Sequence, residues 1–257
     1  MEHEEPVQEE GRERGGRTGF WLALLVMLGL CLFAVYRSAL FRLERVQILG
    51  NERLTQADIL AMAGLEPGML RWEASPEQVA QRLTADPGIR SAAVSWSGNR
   101  LVIVLAERKP LALLQYHGRF YLLLDEEGYI LGQQLLEEGS RMPVISGLTI
   151  TRALRGQQLE HRGLLDALAL LAWTAPDLRS QVSEVQVRED RYIRLFMTGG
   201  ATVDWGVLPE TASQRDGFIQ GQLKSFGELW EKIPRGKRST CQIDLRVEGK
   251  VFPSGCQ

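Results

Sequence analysis

Only three cysteines occur in 257 residues, too few for a disulfide-framed scaffold. The three histidines, His3, His117 and His161, lie far apart and match no metal-ligand spacing. No Gly-x-Ser-x-Gly, Walker loop or dinucleotide fingerprint occurs. A dominant charge is also missing: 30 Lys and Arg stand against 32 Asp and Glu, a net charge of −2. Nothing global therefore points to nucleic acid, and charges have to be read locally. The six tryptophans do not interleave with basic residues, and Trp96 and Trp205 fall at strand ends, where packing is the expected role. No catalytic, cofactor or metal site is expected. What remains is a foldable chain, 44% apolar and 24% charged, of a length that suits one or two domains.

Phe20 to Tyr36 reads "FWLALLVMLGLCLFAVY", without a charge. As a helix it would reach about 26 Å. Arg37 can snorkel and "SALF" can extend the run, while Trp21 and Tyr36 sit where amphipathic rings favour an interface. The expectation is a single transmembrane helix over residues 20–40. It should stay uncleaved, because Arg37 in "YRSA" spoils a small-residue cleavage pattern and Leu30 spoils a lipoprotein cut before Cys31. Residues 1–19 are almost free of apolar side chains and predict a disordered tail. Arginines flank the run on both sides, so length decides orientation. A short cytoplasmic tail and a large outer part are expected, a type II single-pass arrangement.

From Phe41 the pattern changes. Val46 and Ile48 alternate with Arg45 and Gln47, as in a half-buried strand ended by Gly50-Asn51. Thr55 opens a helix with Asp58 in its first turn; Ile59, Leu60 and Met62 should face inward, and Gly64 should stop it. In "SPEQVAQRL", Ser75 is the expected N-cap, Pro76 the first helical residue and Gln78 the other half of a capping box. Val79 and Leu83 share a face, and "DPG" ends the helix. Two strands follow, "IRSAAVSW" and "LVIVLAE". Strand, helix, helix, strand, strand makes a self-sufficient small core.

Beyond it, "FYLLLDEEGYIL" reads as a hairpin and "MPVISGL" as a crossing segment. "HRGLLDALALLAWTA" is an apolar helix stopped by Pro176. Three strand-like runs follow, "VSEVQVRE", "YIRLFM" and "ATVDWG". "ETASQRDGFIQGQLKSFGELWEKI" is helical in outline despite Gly217, Gly221 and Gly227. The carboxylates Asp125, Glu126 and Glu127 suggest acid–base work, but "DEEG" reads better as a solvated turn. The basic "RGKRS" reads as a solvated loop. Two short strands about Glu248-Gly249 close the chain.

"VQILGNERLTQADILAMAGLEPG", "LTADPGIRSAAVSW" and "NRLVIVLAERKPLALL" together resemble the POTRA domain of the FtsQ/DivIB cell-division proteins. "LLLDEEGYIL", "MPVISG" and "IDLR" follow in that family's order. The resemblance implies an α+β chain: a transmembrane helix, a POTRA domain of order β-α-α-β-β over 41–110, and a second α+β domain with a mainly antiparallel sheet over 111–257. It implies a non-enzymatic scaffold of the inner membrane, enriched at the septum. Such a scaffold binds FtsB, FtsL and other septal proteins and links early and late components of the divisome. The alternative is a membrane-anchored, POTRA-bearing secretion or envelope-assembly adaptor. An anchored envelope enzyme ranks third, for lack of a catalytic constellation.

A two-residue loop at Glu248-Gly249 would set Val247 opposite Lys250, Leu245 opposite Phe252 and Cys241 opposite Cys256. Opposed strand residues lie within disulfide reach. A bonded pair in an oxidising compartment and two free thiols both remain open, since Pro253 interrupts the ladder and the terminus can fray. The closing hairpin is also the expected docking edge, taking a partner segment as an added strand. That family binds FtsB with its last strand, which the resemblance carries to "RVEGKVF". Arg246 would meet a partner carboxylate and Phe252 would be an apolar anchor. Gly249, Lys250 and Val251 would line the edge, with Arg191 a second basic contact. Val247 stands where an aromatic residue often follows "DLR" in the family.

Overall fold

In the structure, a computed structural model describing residues 14–37, 42–43, 45–117, 119–135, 141–188 and 190–256, the first element is helix α1 (Arg14–Arg37). It begins within the stretch expected to be a disordered tail, whose residues 1–13 lie outside the described residues. The expected membrane span is corrected: among the described residues, no helix is long and apolar enough to cross a membrane. The charge-free part of α1 runs from Thr18 to Tyr36, and its apolar part, Phe20 to Tyr36, is at the short end of what a hydrocarbon core requires. Its first six residues, "RGGRTG", are polar or glycine.

The chain divides into two compact units, one of residues 1–83 and 92–105 and one of residues 84–91 and 106–257. The first is built on β1 (Arg45–Leu49), α2 (Gln56–Ala63), α3 (Pro76–Thr84), β2 (Ile89–Ser97) and β3 (Arg100–Glu107). Its sheet has the order β1-β3-β2, with β1 parallel to β3 and Val46 opposite Leu101. The capping box falls on Thr55 and Asp58, whose side chains each accept from the other's backbone N–H, at 3.2 and 3.1 Å. At the second helix the Ser75 hydroxyl donates to Glu77 instead of forming the expected box with Gln78. Gly64, at φ 64°, ends α2. Ile59 and Ala63 are the buried residues of α2, whereas Leu60 and Met62, expected inside, are half-buried. The inward stripe is narrower because only positions one helical turn apart reach the core. Gly50 closes β1 at φ 84°, with a Cβ there falling 2.0 Å from the Leu105 carbonyl oxygen. No side chain fits that approach.

The second unit is a nine-stranded sheet with helices on one face. In chain order it comprises β4 (Ala112–Gln115), β5 (Phe120–Leu124), β6 (Ile130–Leu135), β7 (Val144–Ser146), α4 (Arg162–Trp173), α5 (Pro176–Arg179), β8 (Val182–Val187), β9 (Ile193–Met197), β10 (Thr202–Gly206), α6 (Ala212–Lys232), a 3-10 turn (Arg235–Thr240), β11 (Gln242–Asp244) and β12 (Phe252–Ser254). The spatial order is β12-β11-β10-β9-β8-β7-β4-β5-β6. Pairing is parallel for β10–β11, β4–β7 and β7–β8 and antiparallel elsewhere. The expected crossing segment "MPVISGL" is thus a sheet strand, β7.

One cross-strand row, Ile145, Val185, Leu195, Val203 and Ile243, points to the core. Leu164, Leu168 and Leu171 of α4 and Ile219, Phe226 and Trp230 of α6 pack against it. Helix α6 runs unbroken through Gly217, Gly221 and Gly227, none of which has a neighbour within 4 Å of a would-be Cβ. Each costs about 1 kcal/mol against alanine, which burial of the opposite stripe offsets. The solvent-side row, Arg194, Asp204, Asp244 and Phe252, runs across β9, β10, β11 and β12.

Candidate functional site: the β12 edge

Among the described residues, strand β12 ends the sheet and pairs only with β11, with Gln242 opposite Ser254, Ile243 opposite Pro253 and Asp244 opposite Phe252. This corrects the expected register by one residue. The connection is not a two-residue loop but the longer segment between Asp244 and Phe252, with a turn in which Lys250 N–H donates to Val247 O at 3.0 Å. Cys241 N–H and C=O sit at the root of β11; Thr202 N–H donates to Cys241 O and Leu245 N–H to Asp204 O. Odd-numbered β11 residues therefore bond β10, leaving Gln242 and Asp244 to bond Ser254 and Phe252. By alternation, the backbone groups of Val251 and Pro253 face outward, and Pro253 lacks an N–H. The free edge is thus short, and interrupted at its centre.

What shapes the loop is a residue that sequence reasoning missed. Gln222 of α6 is 0% exposed. Its Nε2 lies 2.5 Å from Leu245 O, 2.9 Å from Val247 O and 3.4 Å from Lys250 O. Its Oε1 accepts from Gly249 N–H at 2.9 Å. A buried amide must find such partners, since leaving it unpaired is costly. The only available signal was a glutamine on the apolar stripe of α6, between Ile219 and Phe226. With the loop held, Val247 and Phe252 remain 47% and 51% exposed. Gly249 takes φ 68°, and Lys250 is exposed. Val251 is half-buried and packs against the core.

Cys241 and Cys256 are joined by a disulfide, with Cα atoms 4.5 Å apart. Arg246, read as a contact for a partner carboxylate, already grips Asp244: Nη2 lies 2.6 Å from Oδ2 and Nε 2.9 Å from Oδ1. That hydrogen bonding holds the Asp244 carboxyl below its usual 3.8 and raises the guanidinium. Beside it, Asp204 accepts from Arg194 at 2.6 Å and from the Tyr192 hydroxyl at 2.8 Å. Burial alone would raise the Asp204 pKa, but those two donors outweigh it and the net shift is downward. Burial, then the Asp204 contact, pushes the Tyr192 phenol up. Arg191 is not part of this edge. It occupies the β8–β9 turn in the left-handed region, φ 64°, and its Nη2 lies 2.6 Å from buried Asp166 of α4.

The carboxylates of "DEEG" are likewise committed. Asp125 is 3% exposed rather than solvated. It accepts from Tyr129 N–H at 2.8 Å, Glu127 N–H at 3.1 Å and Arg108 at 2.6 Å. Arg108 also donates to Glu127 at 2.6 Å and lies 3.7 Å over the Tyr129 ring. The Arg108 hydrogen bond holds the Glu127 carboxyl below 4.5. The knot pins the hairpin. "RGKRS" forms the 3-10 turn, with Arg235 and Lys237 exposed. Among the described residues, no group of three or more His, Cys, Asp or Glu could hold a metal.

The two units have separate counterparts among known families. The POTRA domain, FtsQ-type, matches residues 41–108, and the C-terminal domain of cell division protein FtsQ/DivIB matches residues 112–246. Cell division protein FtsQ of Syntrophotalea carbinolica is 34% identical over 156 residues, 60% of this chain and 53% of that protein. FtsQ of Anaeromyxobacter sp. (strain K) is 30% identical over 222 residues, 83% of this chain and 67% of that protein. DivIB of Listeria monocytogenes is 27% identical over 241 residues, 91% of this chain and 81% of that protein. The chain thus spans about half the length of the first relative and two thirds of the second. The solved extracytoplasmic domain of DivIB from Geobacillus stearothermophilus aligns with 50% of this chain and 99% of its own, at 16% identity and a TM-score of 0.32, too low to bear on the fold. The chain belongs to the FtsQ/DivIB family of cell division proteins.

Proposed function

We propose that this protein is a non-enzymatic scaffold of the divisome that binds FtsB and FtsL and couples early to late division proteins at the septum. Its folded units would work on the outer side of the inner membrane. The Cys241–Cys256 pairing supports that placement, because disulfides persist in oxidising compartments. One observation carries the docking reading: β12 is an open sheet edge, with outward backbone groups at Val251 and exposed Val247 and Phe252 beside them. A partner strand laid on that edge would gain main-chain hydrogen bonds, while alternate side chains would select it. Pro253 and the short strand limit unwanted pairing meanwhile. Arg246, spent on Asp244 in the free chain, would exchange that carboxylate for a partner's at little net gain. Arg191 remains a second basic contact in this reading only if it leaves Asp166.

The test is titration of the full chain with the extracytoplasmic part of FtsB from the same organism. Val251→Pro removes an outward N–H and should weaken binding at least tenfold, with the far-UV spectrum retained. Phe252→Ala should weaken it less. Binding of a folded Val251→Pro chain at wild-type affinity would rule out this edge.

A further inference from the structure

An edge strand of three residues, all exposed, with a proline at its centre, has little of its own to keep it in place. Two attachments from outside the strand hold β12. At its start, Gln222 fixes the loop from Leu245 to Lys250. At its end, Cys256 is bonded to Cys241. There the Thr240 hydroxyl also donates to Gly255 O at 2.7 Å, and a Cβ on Gly255 would lie 2.6 Å from Thr240 O. The attachments differ in kind. The amide of Gln222 is chemically inert, whereas the disulfide can be opened. Cys241 is buried and Cys256 half-exposed, so the sulfur within reach of an attacking thiolate is that of Cys256.

We propose that the Cys241–Cys256 bond is a redox clamp on the docking edge: closed, it holds β12 ready for a partner strand; opened, it releases the strand from Phe252 onward. The inference rests on the docking reading above. A dithiol opens the clamp by thiolate attack on Cys256 Sγ, with Cys241 leaving as its thiolate. The second thiol of the reductant then resolves the mixed disulfide. In sum the protein gains two electrons and two protons, becoming two thiols, and the dithiol becomes a disulfide. The rest of the unit has no need of the bond. Cys241 Sγ already faces Lys237 O at 3.4 Å, and the Trp205 and Phe226 core lies under β8 to β11. Gln222 continues to hold the loop. Docking onto a released strand must first re-order it, at a cost in conformational entropy, so binding should weaken at least tenfold.

The experiment titrates the full chain, purified without reductant, with the extracytoplasmic part of FtsB, before and after dithiothreitol and alongside Cys256→Ser. Hydrogen exchange is followed in both redox states. We expect reduction and Cys256→Ser each to weaken binding at least tenfold. Exchange should accelerate at Phe252 and Ser254, whose N–H groups face β11, and stay slow from Ile219 to Trp230. Equal affinity in the two redox states, unchanged exchange at β12, or loss of the far-UV signal on reduction would each overturn the clamp. If the oxidised chain does not bind, or Val251→Pro binds like wild type, the docking reading itself fails.

Discussion

Replacing Gln222 by methionine tests how the docking loop is built. The substitution nearly conserves volume and removes both halves of the amide. Four backbone groups lose a partner: the carbonyls of Leu245, Val247 and Lys250, and the N–H of Gly249. They are not equivalent. Val247, Gly249 and Lys250 are exposed, so water can replace the amide there at a small cost. Leu245 is fully buried, and its carbonyl sits at the closest of the contacts, 2.5 Å. An unsatisfied buried acceptor costs about 1–3 kcal/mol and each of the other lost bonds roughly 0.5 kcal/mol. Methionine recovers some apolar burial. The expected loss is about 2–3 kcal/mol, or ~5–10 °C in Tm for a unit of this size. Urea unfolding gives the first number and calorimetry the second. Amide exchange at Gly249 gives the local signature, faster by at least tenfold. A loss below about 0.5 kcal/mol with Gly249 still protected would refute the assignment of Gln222 as the anchor.

Asp125→Ala should destabilise the second unit by about 3 kcal/mol, because it strips a partner from Arg108, whose side chain is largely buried; a urea midpoint shift measures it. Gly50→Ala should cost more than about 1 kcal/mol, since it forces alanine to a positive φ and drives a Cβ into the Leu105 carbonyl. Thermal unfolding would show it, and a neutral result would deny that close approach. Glu127, Asp204 and Asp244 all have lowered folded-state pKa values. Their contribution is therefore complete above the usual values of 3.8 and 4.5 and lost as pH falls through the lower folded ones. Stability should be flat from neutral pH to about pH 5 and fall below about pH 4, and Arg194→Met should shrink that acid limb; urea titrations across that range decide.

The parts that could be read in the sequence are those decided within a few residues. The Thr55 cap and the Gly64 stop need only neighbours three or four positions away, as does the "DEEG" turn, where Asp125 accepts from Tyr129 N–H. Alternation in Val46 and Ile48, and the apolar stripe of α4, likewise reflect one face meeting one core. The order of motifs along the chain was also enough to bring out the family. The apolar run before them misled, because lack of charge over Phe20 to Tyr36 does not by itself make a helix long and apolar enough to cross a membrane. Tertiary structure alone decided the rest. Asp125 is buried because Arg108 reaches it across 17 residues, and Arg191 is withdrawn because Asp166 lies 25 residues away in the chain but next to it in space. The final hairpin pairs one residue out of the expected register because Gln222, more than twenty residues earlier, satisfies the loop's backbone groups and makes a longer connection stable. Local patterns specify where backbone bonds form along the chain, but which buried polar group finds which partner depends on where the sheet and helices bring them together.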